Sequence, residues 1–183
     1  LTSWSDFPIR RSSTALVAHA SLHVPGAVDD DELRYTKRDD NARRQAAMAG
    51  LWELCVGEDP QWLYETGARY SMWSYDHGLW FTTGEGDWDG DVLARLVDTD
   101  GALAEVPAGV NTERFRELAD SIERLSVEML LTVVSQVPVE WEADDRNLEA
   151  MAWFIFRRRA QVAQRLRRRA ETPPGAHTTG SPT

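Results

Sequence analysis

Residues 70–81 read YSMWSYDHGLWF. Tyr70, Met72, Trp73 and Tyr75 stand before Asp76-His77-Gly78, and Leu79, Trp80 and Phe81 stand after it. Aromatic side chains suit the pleated, half-buried surface of a sheet, while Asp and Gly favour reversal of the chain. The stretch therefore predicts a strand, a tight turn at 76–78 and a second strand. It is the clearest β-prone island in a chain whose long periodic segments are helical. The predicted fold class is mainly α with a small central β-hairpin (α+β).

The flanking segments carry helix signals. Asp39-Asp40-Asn41 offers N-cap residues, and Ala47, Leu51, Leu54 and Cys55 recur at helical spacing, predicting a helix over about 41–56 with Gly57 as its C′ residue and Pro60 barring continuation. Residues 62–66 read as a helical turn, 82–91 (TTGEGDWDGD) as a Gly/Asp loop and Val92–Val97 as a short apolar helical turn. Asn111-Thr112 caps a helix whose face, Phe115, Leu118, Ile122, Leu125, Met129 and Val133, runs on to Val137-Pro138. Asp144-Asp145 opens a last helix. The expected organisation is an irregular segment over 1–28, a helical domain over 29–170 and a disordered tail over 171–183, with Asp29–Glu32 as a solvated acidic run.

At 183 residues, 42% of them hydrophobic, the chain matches one domain with a packed core. No apolar run approaches the ~18–20 residues of a membrane span. Cys55 is the only cysteine and no signal-peptide pattern follows Leu1, so a reducing, cytoplasmic setting is expected. Thirty acidic against 20 basic residues give a net charge of −10, which opposes nucleic-acid binding by the body. Residues 157–169 nevertheless hold seven arginines and no acid. That run is read first as a solvated positive face at a helix C-terminus, with nucleic acid, a membrane surface or the acidic body itself as alternative partners. Lys37 is the only lysine.

Several residues are candidates for chemistry. Asp76 in the Asp-His-Gly turn either holds a divalent cation or bonds its own backbone. Asp59 precedes it by 17 residues, in the run GEDPQW at 57–62. A phosphotransferase uses one carboxylate to orient the accepting hydroxyl and another to hold the metal. The loop at Asp87–Asp91 fails as an EF-hand, having Val92 where glycine is required and Asp98 where glutamate is required; a looser cation site with Glu85 is the remaining alternative to a solvated loop. His19 and His23 are four apart without a third ligand, and His77 reads as a turn residue. The eight tryptophans read mainly as core, with Trp80 and Trp88 as exceptions beside the loop.

The run from about Asp40 to Phe81, its Asp-His-Gly triplet, and the later Val137-Pro138-x-x-Trp141 step resemble the C-terminal lobe of bacterial HipA-like kinases, relatives of the phosphatidylinositol 3-/4-kinase-like fold, over roughly residues 40–170. The resemblance implies a phosphotransferase lobe using Mg2+ and ATP. In it Asp76 is the metal-binding aspartate, Asp59 is the catalytic-loop aspartate, and Gln61 lends an oxygen in place of the family's asparagine. The phospho-acceptor would be a protein or a lipid. The departures are the Asp59-Pro60-Gln61 loop and the 75 residues before Asp76, which hold neither a Gly-rich phosphate loop nor a well-placed lysine. They imply a truncated product, a pseudo-kinase or helical interaction module, or a lobe whose partner lobe lies on another chain.

Overall fold

The computed structural model describes residues 23–81, 88–101 and 108–171. The expected 1–28 segment thus lies mostly outside the described residues, as do most of the 82–91 loop with Glu85, His19, and the tail beyond Glu171. The fold is mainly helical with a small antiparallel sheet. In chain order it runs β1 (Ala27–Asp30), α1 (Asn41–Cys55), β2 (Trp62–Glu65), a 3-10 turn (Thr66–Ala68), β3 (Ser71–Ser74), α2 (Gly90–Leu96), α3 (Thr112–Glu123), α4 (Val127–Val134), a 3-10 turn (Val139–Trp141) and α5 (Asp145–Glu171).

The sheet corrects the expected hairpin. Strand β3 pairs with β2, Leu63 opposite Trp73, rather than with residues 79–81. Residues 62–66, read as a helical turn, supply that strand because Trp62 and Tyr64 alternate inward and are fully buried. The acidic run also forms strand: Ala27–Asp30 pairs with β2, Asp29 opposite Leu63. The far edge of β3 is closed by a side chain. Buried Asn41, the first residue of α1, accepts from Met72 N at 2.9 Å and donates to Tyr70 O at 2.7 Å, taking the place of a fourth strand.

The predicted first helix is present, but its termination differs from expectation. The left-handed residue is Val56 (φ 51°), not Gly57. Gly57 is needed for another reason: a Cβ there would come within 2.7 Å of the Trp52 indole. The single helix expected from Asn111 to Val137 is two. Asn111 caps α3 through Arg114 N at 3.0 Å, and Ser126 caps α4 through Met129 N at 3.1 Å. The break turns Met129 and Val133 outward, where they are 53% and 63% exposed instead of lying on the core face.

Helix α5 packs against α1, α2, α3 and α4. At its middle Arg158 is fully buried. Its Nε donates to Leu54 O (3.0 Å) and Nη2 to Glu53 O (2.6 Å), both at the end of α1. Its Nη1 donates to Leu96 O (3.0 Å), Val97 O (2.9 Å) and Thr99 O (2.6 Å), at the end of α2. One cation therefore satisfies carbonyls at two helix C-termini, the ends where positive charge is favoured. Burial pulls its pKa down to about 10, which leaves it cationic at neutral pH.

The arginine run is accordingly a solvated face only in part: Arg157 and Arg168 are exposed, and others are engaged by the protein. Arg165 pairs with buried Glu53 at 2.5 Å and with Asp100 at 2.7 Å, Arg167 pairs with Asp120 and Glu123, and Arg159 lies over the Phe156 ring at 3.5 Å. Arg165 and Arg167 dock onto acids of the body, while Arg159 lies along its own helix.

Arg158→Met leaves several buried carbonyls without a donor and is expected to cost about 3–5 kcal/mol. Arg158→Lys keeps the charge but not the fork and is expected to cost about 2 kcal/mol. Urea unfolding followed by circular dichroism measures both. Gly57→Ala, which drives a methyl into a fully packed indole, is expected to cost about 1–3 kcal/mol in the same assay.

Candidate functional site

The loop carrying Asp59 and the turn carrying Asp76 are joined by backbone hydrogen bonds. Tyr75 N donates to Gln61 O (3.4 Å), Glu58 N to Leu79 O (3.2 Å) and Phe81 N to Cys55 O (2.9 Å). The turn is thus laced to the end of α1, and it rests on an aromatic stack. Trp52, 1% exposed, has Trp62 at 5.1 Å and Trp80 at 5.2 Å between ring centroids, and His77 lies 4.3 Å from Trp80. Trp80 and Trp88, expected as exceptions, are half-buried and pack on Phe81. Most of these rings are core, as a sequence rich in tryptophan suggests.

The structure brings Asp59 and Asp76 to one edge of the sheet, both exposed and both at positive φ (50° and 48°). The Tyr75 phenol between them has its pKa raised, first by burial, then by Asp29, Asp76 and Asp59. Both carboxylates are engaged locally. Asp76 Oδ1 accepts from Gly78 N at 3.4 Å, as a carboxylate in a turn does, and Asp59 Oδ2 accepts from Gln61 Nε2 at 2.8 Å. Gln61, expected to lend an oxygen to a metal, instead turns an N–H toward Asp59.

A magnesium ion bridging phosphates is held by oxygen donors converging on one point. Among the described residues no group of three His, Cys, Asp or Glu is gathered to hold a metal. In this arrangement Asp59 and Asp76 each accept a local N–H, and Gln61 turns its Nε2 rather than its oxygen toward Asp59. Lys37 is exposed between β1 and α1. Cys55 is buried, which pushes its thiol up to about 12 and keeps it protonated.

Where α2 and α5 begin, a depression of about 230 Å³ is lined by Asp89, Gly90, Asp91, Asp144, Arg146 and Asn147. Asp89 caps α2 through Val92 N at 2.8 Å, so the described part of the Gly/Asp loop serves the helix. No helix among the described residues is long and apolar enough to cross a membrane.

Sequence reasoning overlooked Ser74 and the outward face of the sheet. Ser74 Oγ and His77 Nε2 share a hydrogen bond that closes the turn from the strand side. The three-residue spacing was the available signal. Trp73 is 49% exposed, and its indole N–H donates to Glu65 Oε2 at 3.3 Å. The alternation of Trp62 and Tyr64 against Leu63 and Glu65 marks that face once 62–65 is read as strand.

Comparison with protein-family models, curated proteins and solved structures finds no match to this chain.

Burial against Trp52 and Trp80 lowers the His77 pKa below its ordinary 6.5, with Asp76 opposing the shift. The unfolded chain then binds more protons near that pH than the folded one, so this group's contribution to stability is full above about pH 6.5 and falls on acidification through the folded pKa. Denaturant midpoints measured between pH 7.5 and pH 5 are expected to decline more in the wild type than in His77→Gln, and the His77 imidazole is expected to titrate below 6.5 by NMR.

Proposed function

We propose that this chain is a non-catalytic helical interaction module. The observation that carries the reading is the solvent-facing side of the three-stranded sheet: Trp73 stands 49% exposed there, while α1 packs against β3 and the described helices pack mainly against one another. A large exposed aromatic side chain on a rigid sheet is a feature of recognition surfaces. The local engagement of Asp59 and Asp76 supports the reading further, since the carboxylates a phosphotransferase would use are taken up by Gln61 and Gly78.

A second reading, the phosphotransferase lobe, is favoured by the shared influence of Asp59 and Asp76 on Tyr75, which sets them on one edge. In that reading Asp76 holds Mg2+ for ATP and Asp59 orients a protein or lipid hydroxyl, with the rest of the cleft supplied by another lobe.

Isothermal titration of the purified chain with ATP, with and without magnesium, separates the two. The expected result is no saturable binding at about 1 mM nucleotide, the weak end of specific affinity. Saturable, magnesium-dependent binding that disappears in Asp76→Ala overturns the module reading in favour of the second.

A further inference from the structure

We propose that the solvent-facing side of the β1–β3 sheet is a docking surface for an extended, arginine- or lysine-bearing segment of a partner protein. The proposal rests on the interaction-module reading and names the chemistry of its partner. Strand register places Asp29, Leu63 and Trp73 in one row across the sheet, with Tyr75 two residues beyond Trp73 on the same side. Around this apolar strip stand four carboxylates. Asp29, Asp59 and Asp76 all act on the Tyr75 phenol, and Glu65 accepts the Trp73 indole N–H.

What these four share is a place around Trp73 and Tyr75 with no paired cation. Among the described residues none of Asp29, Asp59, Asp76 and Glu65 forms an ion pair, whereas Asp30 and Glu32 of the same acidic run bind Arg34 at 2.7 and 3.0 Å. On α5, likewise, Arg165 and Arg167 are taken up by acids. The sheet face thus sets a negative rim without a paired cation around the exposed Trp73. A guanidinium or ammonium gains there both from the carboxylates and from the indole face.

An extended polypeptide fits the layout better than a compact ligand. The row is linear, and alternate residues of a strand project about 7 Å apart on one side, matching successive positions across the face. Among the described residues β1 pairs only with β2, whereas the outer side of β3 is closed by Asn41, so β1 is the strand beside which an added strand would pair. Nucleic acids and anionic lipid surfaces are repelled by the same rim.

The test uses the full chain and a fluorescein-labelled alternating arginine–valine peptide of about eight residues, with a glutamate–valine peptide as its opposite, followed by anisotropy at about 50 mM and about 300 mM salt. Saturable binding of the basic peptide alone is expected. Trp73→Ala and the triple variant Asp29→Asn/Asp59→Asn/Asp76→Asn are each expected to weaken it about tenfold. The charge-matched control Asp91→Asn/Asp98→Asn/Glu128→Gln is expected to retain it. Thermal melts identify any variant that fails to fold, and the triple variant carries the test should Trp73→Ala be one. No binding, equal binding by the triple variant, or an equal loss in the control overturns the proposal. A several-fold gain in affinity on Arg10→Ser/Arg11→Ser also overturns it, by assigning the face to the chain's own N-terminal residues. None of these outcomes bears on the nucleotide titration, so the two readings fail separately.

Discussion

The structure depends on one buried guanidinium. Arg158 is fully enclosed, yet its hydrogen bonds run to the ends of two helices that would otherwise present unsatisfied carbonyls to the interior. Desolvating a cation is costly, and only several well-placed acceptors offset that cost. Five carbonyls do so here. Because the acceptors belong to α1 and α2 while the donor belongs to α5, these bonds fix three helices relative to one another. An aliphatic residue at 158 would bury more comfortably but would not hold the two C-termini together.

The same geometry accounts for the charge distribution. Glu53 at the end of α1 is 4% exposed and meets Arg165, about two helical turns beyond Arg158 on α5. Arg165 then reaches Asp100, and Gln161 Nε2 donates to Val97 O at 2.6 Å. The cationic half of α5 thus lies along a seam of carbonyls and carboxylates from α1 and the segment after α2. Seven arginines within 157–169 would look anomalous on a chain of net charge −10 if they were solvated. Several of them instead hold the acidic body to its longest helix.

Much of the helical framework was legible because it is written in local signals. Asn111 and the Asp144-Asp145 pair mark helix starts by chemistry that acts within three residues, and apolar spacing located α1 and α5, whereas the Asp89 cap of α2 was read as loop. The misreadings share a different cause. The break at Ser126 hides inside an unbroken apolar period, since a serine cap is nearly silent when hydrophobic spacing continues through it. Strand β2 is four residues long between Pro60 and a glycine-bearing turn, too short for its alternation to outweigh the aromatic island that follows. Arg158 did leave a trace: it falls on the stripe Phe154, Ile155, Val162 and Leu166, a charged residue at a core position. The site was less legible than the fold. Asp59 and Asp76 were singled out through a hairpin that residues 79–81 do not form; β2 and β3 carry them to the same end of the sheet instead, and what their carboxylates bind depends on Gly78 N and Gln61 Nε2, contacts that no spacing encodes.

The edge carrying these residues is held in a fixed shape, and that bears on what it can do. Val56 is buried at φ 51°, a conformation that disfavours a β-branched residue by roughly 1–2 kcal/mol. It persists because its neighbours determine it from both sides. Gly57 N donates to Trp52 O at 3.0 Å, Phe81 N takes Cys55 O at 2.9 Å, and the Trp52 ring lies against Gly57 where no side chain fits. Three backbone bonds then carry that constraint to the loop at 57–61 and the turn at 75–81. A surface fixed in this way recognises by complementarity of a preset pattern, since little conformational freedom remains to be lost when a partner binds. In the proposed docking, the carboxylates at 59 and 76 would therefore lose little freedom when an extended basic chain is laid beside them.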